Sequence, residues 1–365
     1  MKKNICLIYN FAQHYRSAIF QLMDKELNCS FYFGDTMDDL KKMDYSLLSN
    51  FKKELKNIQL FKPIYLQKGA FRLFFKSFDC YIILGEYYCI STWMLLIFCK
   101  FSKKKIYLWT HGWYGNESMQ KKIIKKIFFN LADGILLYGN YAKGLMIEQG
   151  FNPEKLNVVY NSLDYNSQLQ IRKKLQKTSI FSNYFKNDYP VLIFIGRLTM
   201  VKKLEQLVLA NYQLLKKGIY ANLVFVGIGS AKKGLMEQIV NTGQSNYWFY
   251  GECYEEIKLA ELIYNATVCI SPGNVGLTAM HSLVYGTPVI THNDFCNQMP
   301  EFEAVIPDKT GDYFIKDNID DLSNVIEKWI LNNDKRQEIR DNCFDIIDKY
   351  FNPNFQLQVI KKMIS

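Results

Sequence analysis

A chain of 365 residues exceeds one ordinary domain, and at roughly 150 residues per domain two are expected. A hydrophobic content of 49%, with 25 Tyr and 26 Phe, allows a large core and excludes a disordered chain; there is no low-complexity tract and no repeat of fixed period. The 45 Lys and Arg against 35 Asp and Glu leave a net charge of +10, which points to anionic partners such as nucleotides, lipid phosphates or nucleic acid.

Short apolar runs alternate with helix-period stretches from end to end. The first half predicts strands at 5–9, 30–33, 80–84, 105–109, 134–138 and 156–160, with helices at 17–26, 91–100 and 118–131. Near-continuous apolar runs of this kind fit parallel strands covered on both faces. Segment 165–188 is polar, lacks a strand signal and reads as a linker. A second series then predicts strands at 191–195, 221–226, 247–250, 268–271 and 288–291, alternating with helices at 204–217, 231–241, 254–265 and 277–285. Helices at 319–332, 335–349 and 353–364 end the chain. Two α/β halves of similar size predict two Rossmann-like, doubly wound domains facing a cleft. The expected division is an N-terminal domain over 1–170, a linker over 171–188, a C-terminal domain over 189–345 and a terminal helix over 346–365 packing back toward the first domain.

Nine cysteines form an odd count without a Cys-x-x-Cys pair, and most lie in apolar runs, as in Val268-Cys269-Ile270. Buried free thiols are expected rather than a disulfide framework, and with four His no metal-ligand spacing arises. The N-terminus turns polar too soon for a signal peptide. The apolar stretch 80–101 has the length of a membrane span, but Glu86 interrupts it and Gly85 divides it into strand and helix. A cytoplasmic location, at the inner face of the membrane, is the resulting expectation.

Several short motifs follow predicted strands. Val226-Gly227-Ile228-Gly229-Ser230 stands between a strand and a helix, but Lys232 replaces the third glycine of a dinucleotide fingerprint and no acidic residue follows at the ribose-binding distance. A tight strand-to-helix turn is the better account. Gly196-Arg197-Leu198 ends a strand, and Lys202-Lys203 follow where a helix starts. A cation pair beside a helix N-terminus suits a diphosphate, although a solvated basic turn has the same sequence. The Gly-rich strand–loop–helix Ser271-Pro272-Gly273-Asn274-Val275-Gly276-Leu277 lets backbone pass close to a ligand and turns free amides toward phosphate or sugar oxygens.

In order and spacing these motifs, with Gly286-Thr287-Pro288-Val289 and Pro300-Glu301, resemble the retaining family 4 glycosyltransferases of GT-B fold. The similarity is clearest over 190–330. Upstream it continues in His111-Gly112, Ala132-Asp133-Gly134 and Asn161-Ser162-Leu163-Asp164, the last similar to that family's Asn-Gly-Val-Asp. The resemblance implies nucleotide-sugar binding, with Arg197 and Lys202 on the diphosphate. Gly273, Asn274, Val275, Gly276 and Leu277 would lie under the sugar and phosphates, with Gly227 also on the donor side. His111 would reach the sugar from the opposite domain. The family's Glu-x7-Glu signature falls on Gly273 and His281, so both carboxylates are missing; His281 could still hydrogen-bond a ribose hydroxyl. Lys203, where Gly is usual, is a milder departure.

On the acceptor side, His14 and Arg16 follow the first strand, and Glu86 follows the strand at 80–84, where it could bind hydroxyls or cap a helix. Residues 101–126 hold Lys103, Lys104, Lys105, Lys121, Lys122, Lys125 and Lys126 against Glu117 alone. This reads as a solvated helix face or as contact with an anionic membrane carrying a lipid-linked acceptor. No nucleic-acid recognition motif accompanies the charge. The expected activity is transfer of a hexose from a nucleotide diphosphate sugar, a UDP-sugar being favoured, to a hydroxyl of a lipid-linked or surface glycan. The expected setting is O-antigen, capsule or other polysaccharide synthesis, with retention and no metal or other cofactor. A non-catalytic GT-B binding subunit and a nucleotide-sugar epimerase are the alternatives.

Overall fold

The computed structural model describes residues 3–36, 41–331 and 335–365. The chain divides into two compact units, one formed by Met1–Asp164 and Asn352–Ser365, the other by Tyr165–Phe351.

The first unit is built on strands β1 (Ile5–Tyr9), β2 (Cys29–Gly34), β3 (Phe51–Phe61), β4 (Ile64–Lys68), β5 (Cys80–Leu84), β6 (Lys105–Thr110), β7 (Gly134–Leu137) and β8 (Leu156–Val158). Helices α1 (Ser17–Glu26), α2 (Ile90–Lys100), α3 (Met119–Asn130) and α4 (Asn140–Glu148) connect them. The sheet order is β4-β3-β2-β1-β5-β6-β7-β8, parallel except for the β3–β4 pair. Alternation along β1 feeds two cores: Ile5, Leu7 and Tyr9 pack with α1, and Cys6 and Ile8 on the α2 and α3 side. The hairpin β3–β4 departs from the sequence expectation. Its long strand FKKELKNIQLF is exposed over most of its length near the sheet edge, so it carries no apolar run to announce it.

The second unit holds α5 (Tyr165–Arg172), α6 (Ile180–Phe185), β9 (Val191–Ile195), α7 (Leu204–Lys216), β10 (Asn222–Val226), α8 (Lys232–Asn241), β11 (Tyr247–Gly251), α9 (Glu256–Asn265), β12 (Val268–Ser271), α10 (Leu277–Val284), β13 (Val289–His292), β14 (Gly311–Phe314), α11 (Ile319–Leu331) and α12 (Arg336–Lys349). Its parallel sheet runs β11-β10-β9-β12-β13-β14. The segment expected as a linker over 171–188 is a packed part of this unit. Tyr184 stacks on Trp248 at 4.0 Å, and Gln168, just upstream, is buried with its amide on Glu256 at 2.8 Å. Short polar helices of this kind have no strand period and too few turns to show a helical one.

The final helix α13 (Pro353–Ile364) belongs to the first unit, where Leu357, Ile360 and Ile364 join the α1 core. Gln356 lies there on the Ser162 hydroxyl at 2.6 Å and donates to the Tyr160 carbonyl at 2.9 Å. Residues 346–349 are the end of α12 in the second unit, so the returning helix starts later than 346. The last residue of the helix expected over 319–332 lies outside the described residues. All nine cysteines are free thiols.

Candidate active site

In the second unit β9 pairs with β10 on one side and β12 on the other. A doubly wound sheet receives ligands outside the carboxyl ends of its strands at such a switch point. The two motifs singled out in the sequence occupy those two ends. Gly196-Arg197-Leu198 leaves β9, a 3-10 turn over Met200–Lys202 follows, and α7 begins at Leu204. Ser271 ends β12, and Gly276, with φ +53°, precedes α10.

Hydrogen bonds join the two loops. The Gly273 N–H donates to the Lys202 carbonyl at 2.9 Å. The Lys202 ammonium donates to the Asn274 carbonyl at 2.6 Å and to its side-chain oxygen at 3.0 Å. The Thr278 hydroxyl donates to the Ile195 carbonyl at 2.8 Å, and the Val275 N–H to the Gln298 side chain at 2.9 Å. Burial foremost, and then Arg197, push the Lys202 ammonium down to about 8 against the opposing pull of Glu301. Arg197 itself is exposed. The charge of Arg197 thus acts on the Lys202 ammonium just ahead of the start of α7.

Gly273 has a reason within the fold itself. A Cβ there would lie 2.2 Å from the Val201 carbonyl oxygen and 2.8 Å from the Lys202 Cα, so the glycine is needed by the protein's own turn. Gly227 likewise meets backbone: a Cβ would fall 1.9 Å from the Gly196 carbonyl oxygen, in keeping with a tight turn. Lys203 takes the left-handed conformation (φ +49°), which explains why a glycine fits that place.

His281 lies on α10 beside the buried Met280, Leu283 and Val284 and is itself partly exposed. Its Nε2 is 3.8 Å from Glu256 Oε2. Glu256 also accepts from the Tyr285 hydroxyl at 2.6 Å and from Gln168. Burial alone would raise this carboxyl, but its contacts with His281, Tyr285 and Gln168 bring it down to about 2. The partner of His281 in the structure is therefore a carboxylate of the chain itself, one that spacing along the sequence did not indicate.

In the first unit the switch point lies between β1 and β5, and a cavity of about 340 Å³ opens at their carboxyl ends. Of the acceptor-side candidates, Arg16 and Glu86 line it, and so does His111. His14 does not: it is exposed, with its ring Nδ1 3.3 Å from the Lys41 carbonyl. Glu86 accepts from the Tyr65 hydroxyl at 2.6 Å and from Asn10 at 3.2 Å, so its carboxylate faces the pocket wall and does not cap α2, which starts behind Cys89. Burial raises its pKa, opposed by these hydrogen bonds. His111 is held neutral: burial, Arg16 and Lys125 lower it to about 4.

Lys125 overturns part of the reading of the lysine-rich segment. It is buried with Phe128 and Phe129, its ammonium 2.5 Å from Glu117 and 4.9 Å from the centre of the Trp113 ring. Glu117 also accepts the N–H groups of Tyr114 at 2.8 Å and Gly115 at 2.9 Å. Lys104 and Lys105 are also engaged, the first on the Phe74 carbonyl at 2.7 Å and the second on Asp133 at 2.8 Å. Lys121 and Lys126 stay exposed on α3, next to the exposed Met119, Ile123, Ile124 and Ile127. Among the described residues no group of three His, Cys, Asp or Glu side chains converges as a metal site, and no helix is long and apolar enough to cross a membrane.

Two doubly wound units, each built on a parallel sheet with a switch point, define a protein of GT-B fold. Residues 176–344 match the family described as glycosyl transferases group 1. The whole chain is similar to Alr3699/HepE of Anabaena, solved in complex with UDP, at 14% identity over 100% of both chains with a TM-score of 0.74. It is also similar to the lipopolysaccharide outer core galactosyltransferase WaaB, at 17% identity over 99% of this chain and 98% of that one (TM-score 0.69). A glycosyltransferase from Rickettsia africae aligns at 16% identity over 100% of both chains (TM-score 0.73). An uncharacterized 41.2 kDa protein in the cps region of Klebsiella pneumoniae is 24% identical over 230 residues, which are 62% of this chain and 55% of that protein. The chain thus spans about half the length of the curated relative it matches.

Proposed function

We propose that the protein transfers a hexose from a UDP-sugar to a hydroxyl of a lipid-linked or surface glycan, with retention and without a metal, during assembly of a surface polysaccharide. The observation that carries this reading is the pairing of Lys202 with the Gly273–Gly276 loop at the β9–β12 switch point, with the charge of Arg197 acting on the same ammonium. A scaffold subunit has no need of a diphosphate site. The nucleotide is favoured as UDP because UDP is bound in the HepE structure, and the setting because a relative lies in a cps region.

In this reading the acceptor oxygen bonds to the anomeric carbon as the bond from that carbon to the diphosphate oxygen breaks. The departing phosphate takes the acceptor proton on the same face. Arg197, Lys202 and the amides at the start of α10 stabilise the charge that develops on the diphosphate. His111 is assigned to the transferred sugar, as the resemblance implies, and the pocket holding Arg16 and Glu86 to the acceptor. The exposed apolar and basic face of α3 is assigned to an anionic membrane surface. The test is release of free UDP only when acceptor is present. An epimerase acts on the nucleotide sugar alone, and a binding subunit releases nothing.

A further inference from the structure

The acceptor pocket of the first unit contains a cation without a counterion. Arg16 ends the short 3-10 turn before α1 and is 6% exposed. Its guanidinium lies 5.5, 5.4 and 5.0 Å from the ring centres of Tyr9, Trp109 and Tyr138, contributed by three strands or their ends. One nitrogen, Nη2, donates to the Tyr138 hydroxyl, while Nε and Nη1 are buried without a hydrogen-bond partner. Among the described residues no carboxylate pairs with it.

An arginine cannot shed its charge by titration, so burial does not neutralise it as it would a lysine. Aromatic faces attract the cation but accept none of its directed N–H bonds. Unsatisfied buried donors call for a missing acceptor. Lys121 also lines the cavity but is exposed, and the remaining charges of the pocket are accounted for. Lys125 is paired with Glu117, and Glu86 is hydrogen-bonded by Tyr65 and Asn10. His111 adds a third unpartnered nitrogen, Nδ1, to the same cavity.

We infer that this pocket recognises an acidic acceptor: a sugar carrying a carboxylate or phosphate that Arg16 binds by charge-assisted hydrogen bonds. The inference rests on the reading that the first-unit pocket takes the acceptor. A planar carboxylate can fork onto the guanidinium, and a tetrahedral phosphate can meet the same donors.

The experiment is calorimetric titration of the full chain with glucuronate, glucuronamide, glucose 6-phosphate, glucose and UDP. Glucuronate or glucose 6-phosphate is expected to bind at least tenfold more tightly than its neutral counterpart, and whichever of the two wins separates carboxylate from phosphate. Arg16→Met should abolish that preference and leave UDP binding unchanged, and Arg16→Lys should retain part of it. Anionic and neutral probes binding alike overturns the inference, as does a preference that survives Arg16→Met. Should Arg16→Met fail to fold, the glucuronate–glucuronamide comparison in the wild type still decides, with saturating UDP present. Displacement of glucuronate by UDP places the anion in the nucleotide site and also overturns it. A UDP-release assay keeps the two readings apart. Release with neutral acceptors and no anion preference removes this inference alone, whereas an anion preference without release under any acceptor removes the transferase reading.

Discussion

The Lys202 ammonium lies 2.6 Å from the Asn274 carbonyl oxygen, joining the turn after β9 to the loop after β12. An ammonium has three N–H donors, and Asn274 engages two of them through its carbonyl and its side chain. Arg197→Ala and Lys202→Ala should each weaken UDP binding by roughly 1.5–3 kcal/mol, the range for hydrogen bonds to charged groups. Titration calorimetry against UDP checks this, and wild-type affinity in both variants would sink the assignment. The lowered Lys202 adds a pH signature. The free protein gives up this proton near pH 8, whereas a bound diphosphate favours the charged form. UDP binding at pH 8.5 should therefore take up protons, read from the dependence of binding heat on buffer ionisation, and Lys202→Met should remove the uptake.

The close approach of Gly273 to the Val201 carbonyl predicts that no side chain is tolerated there. Gly273→Ala should cost about 1–3 kcal/mol, as overpacking a tight contact does. Gly273→Glu, which writes in the carboxylate usual for the resembled family, should cost at least as much stability and bring no gain in activity. Melting temperatures and UDP-release rates of the two variants test this together; a stable and faster Gly273→Glu would contradict it.

The 3.8 Å approach of His281 to Glu256 predicts a structural contribution from this pair. His281→Ala should lower stability by about 1 kcal/mol, with a fall in melting temperature of about 2–4 °C. Glu256 is held below its unfolded value, so its contribution is present above about pH 4.5 and is lost as pH falls toward about 2. Glu256→Gln should be less stable than the wild type at neutral pH, with the two stabilities converging through that acid window. A raised donor KM in His281→Ala with unchanged melting temperature would instead assign the imidazole to the ribose.

His111 should remain neutral at pH values where an ordinary histidine is protonated. The unfolded chain takes up this proton near 6.5 and the folded one near 4, so stability falls as pH drops through that interval. Proton NMR should show the neutral imidazole at pH 5.5. His111→Gln should flatten the acid loss of stability between those limits, and an unchanged slope would place His111 in a more solvated setting.

Breaking the buried Lys125–Glu117 pair from one side leaves a bare charge, and Lys125→Met should cost about 3–5 kcal/mol. Combining it with Glu117→Gln should recover part of the loss. Lys121→Glu and Lys126→Glu should leave melting unchanged and weaken binding to anionic vesicles, each lysine contributing about 1 kcal/mol. Sedimentation with phosphatidylserine vesicles separates the groups: equal vesicle binding in the exposed-lysine variants removes the membrane assignment of α3.

The strand runs at 5–9, 80–84, 191–195 and 268–271 were legible because parallel strands buried on both faces must be continuously apolar. The cation turn and the glycine loop were legible for a related reason, since each begins where such an apolar strand stops. The hairpin β3–β4 was not, because its long strand is exposed over most of its length and leaves no periodic trace. Lys125 was misread because a lysine in a basic helix shows its charge in the sequence but not the Glu117 that a neighbouring loop folds against it.

What the sequence by itself determined is therefore each element's own burial and the places where strands end. Tertiary structure alone decided which polar group each side chain meets. Tyr9, Trp109 and Tyr138 surround Arg16 because the sheet places β1, β5, β6 and β7 in register order, and Glu256 meets His281 because α9 and α10 pack together. Periodicity is a local property of the chain, whereas hydrogen bonds and charge pairs have a reach of a few ångströms in space. Residues distant in sequence acquire such partners only once the sheet order is fixed.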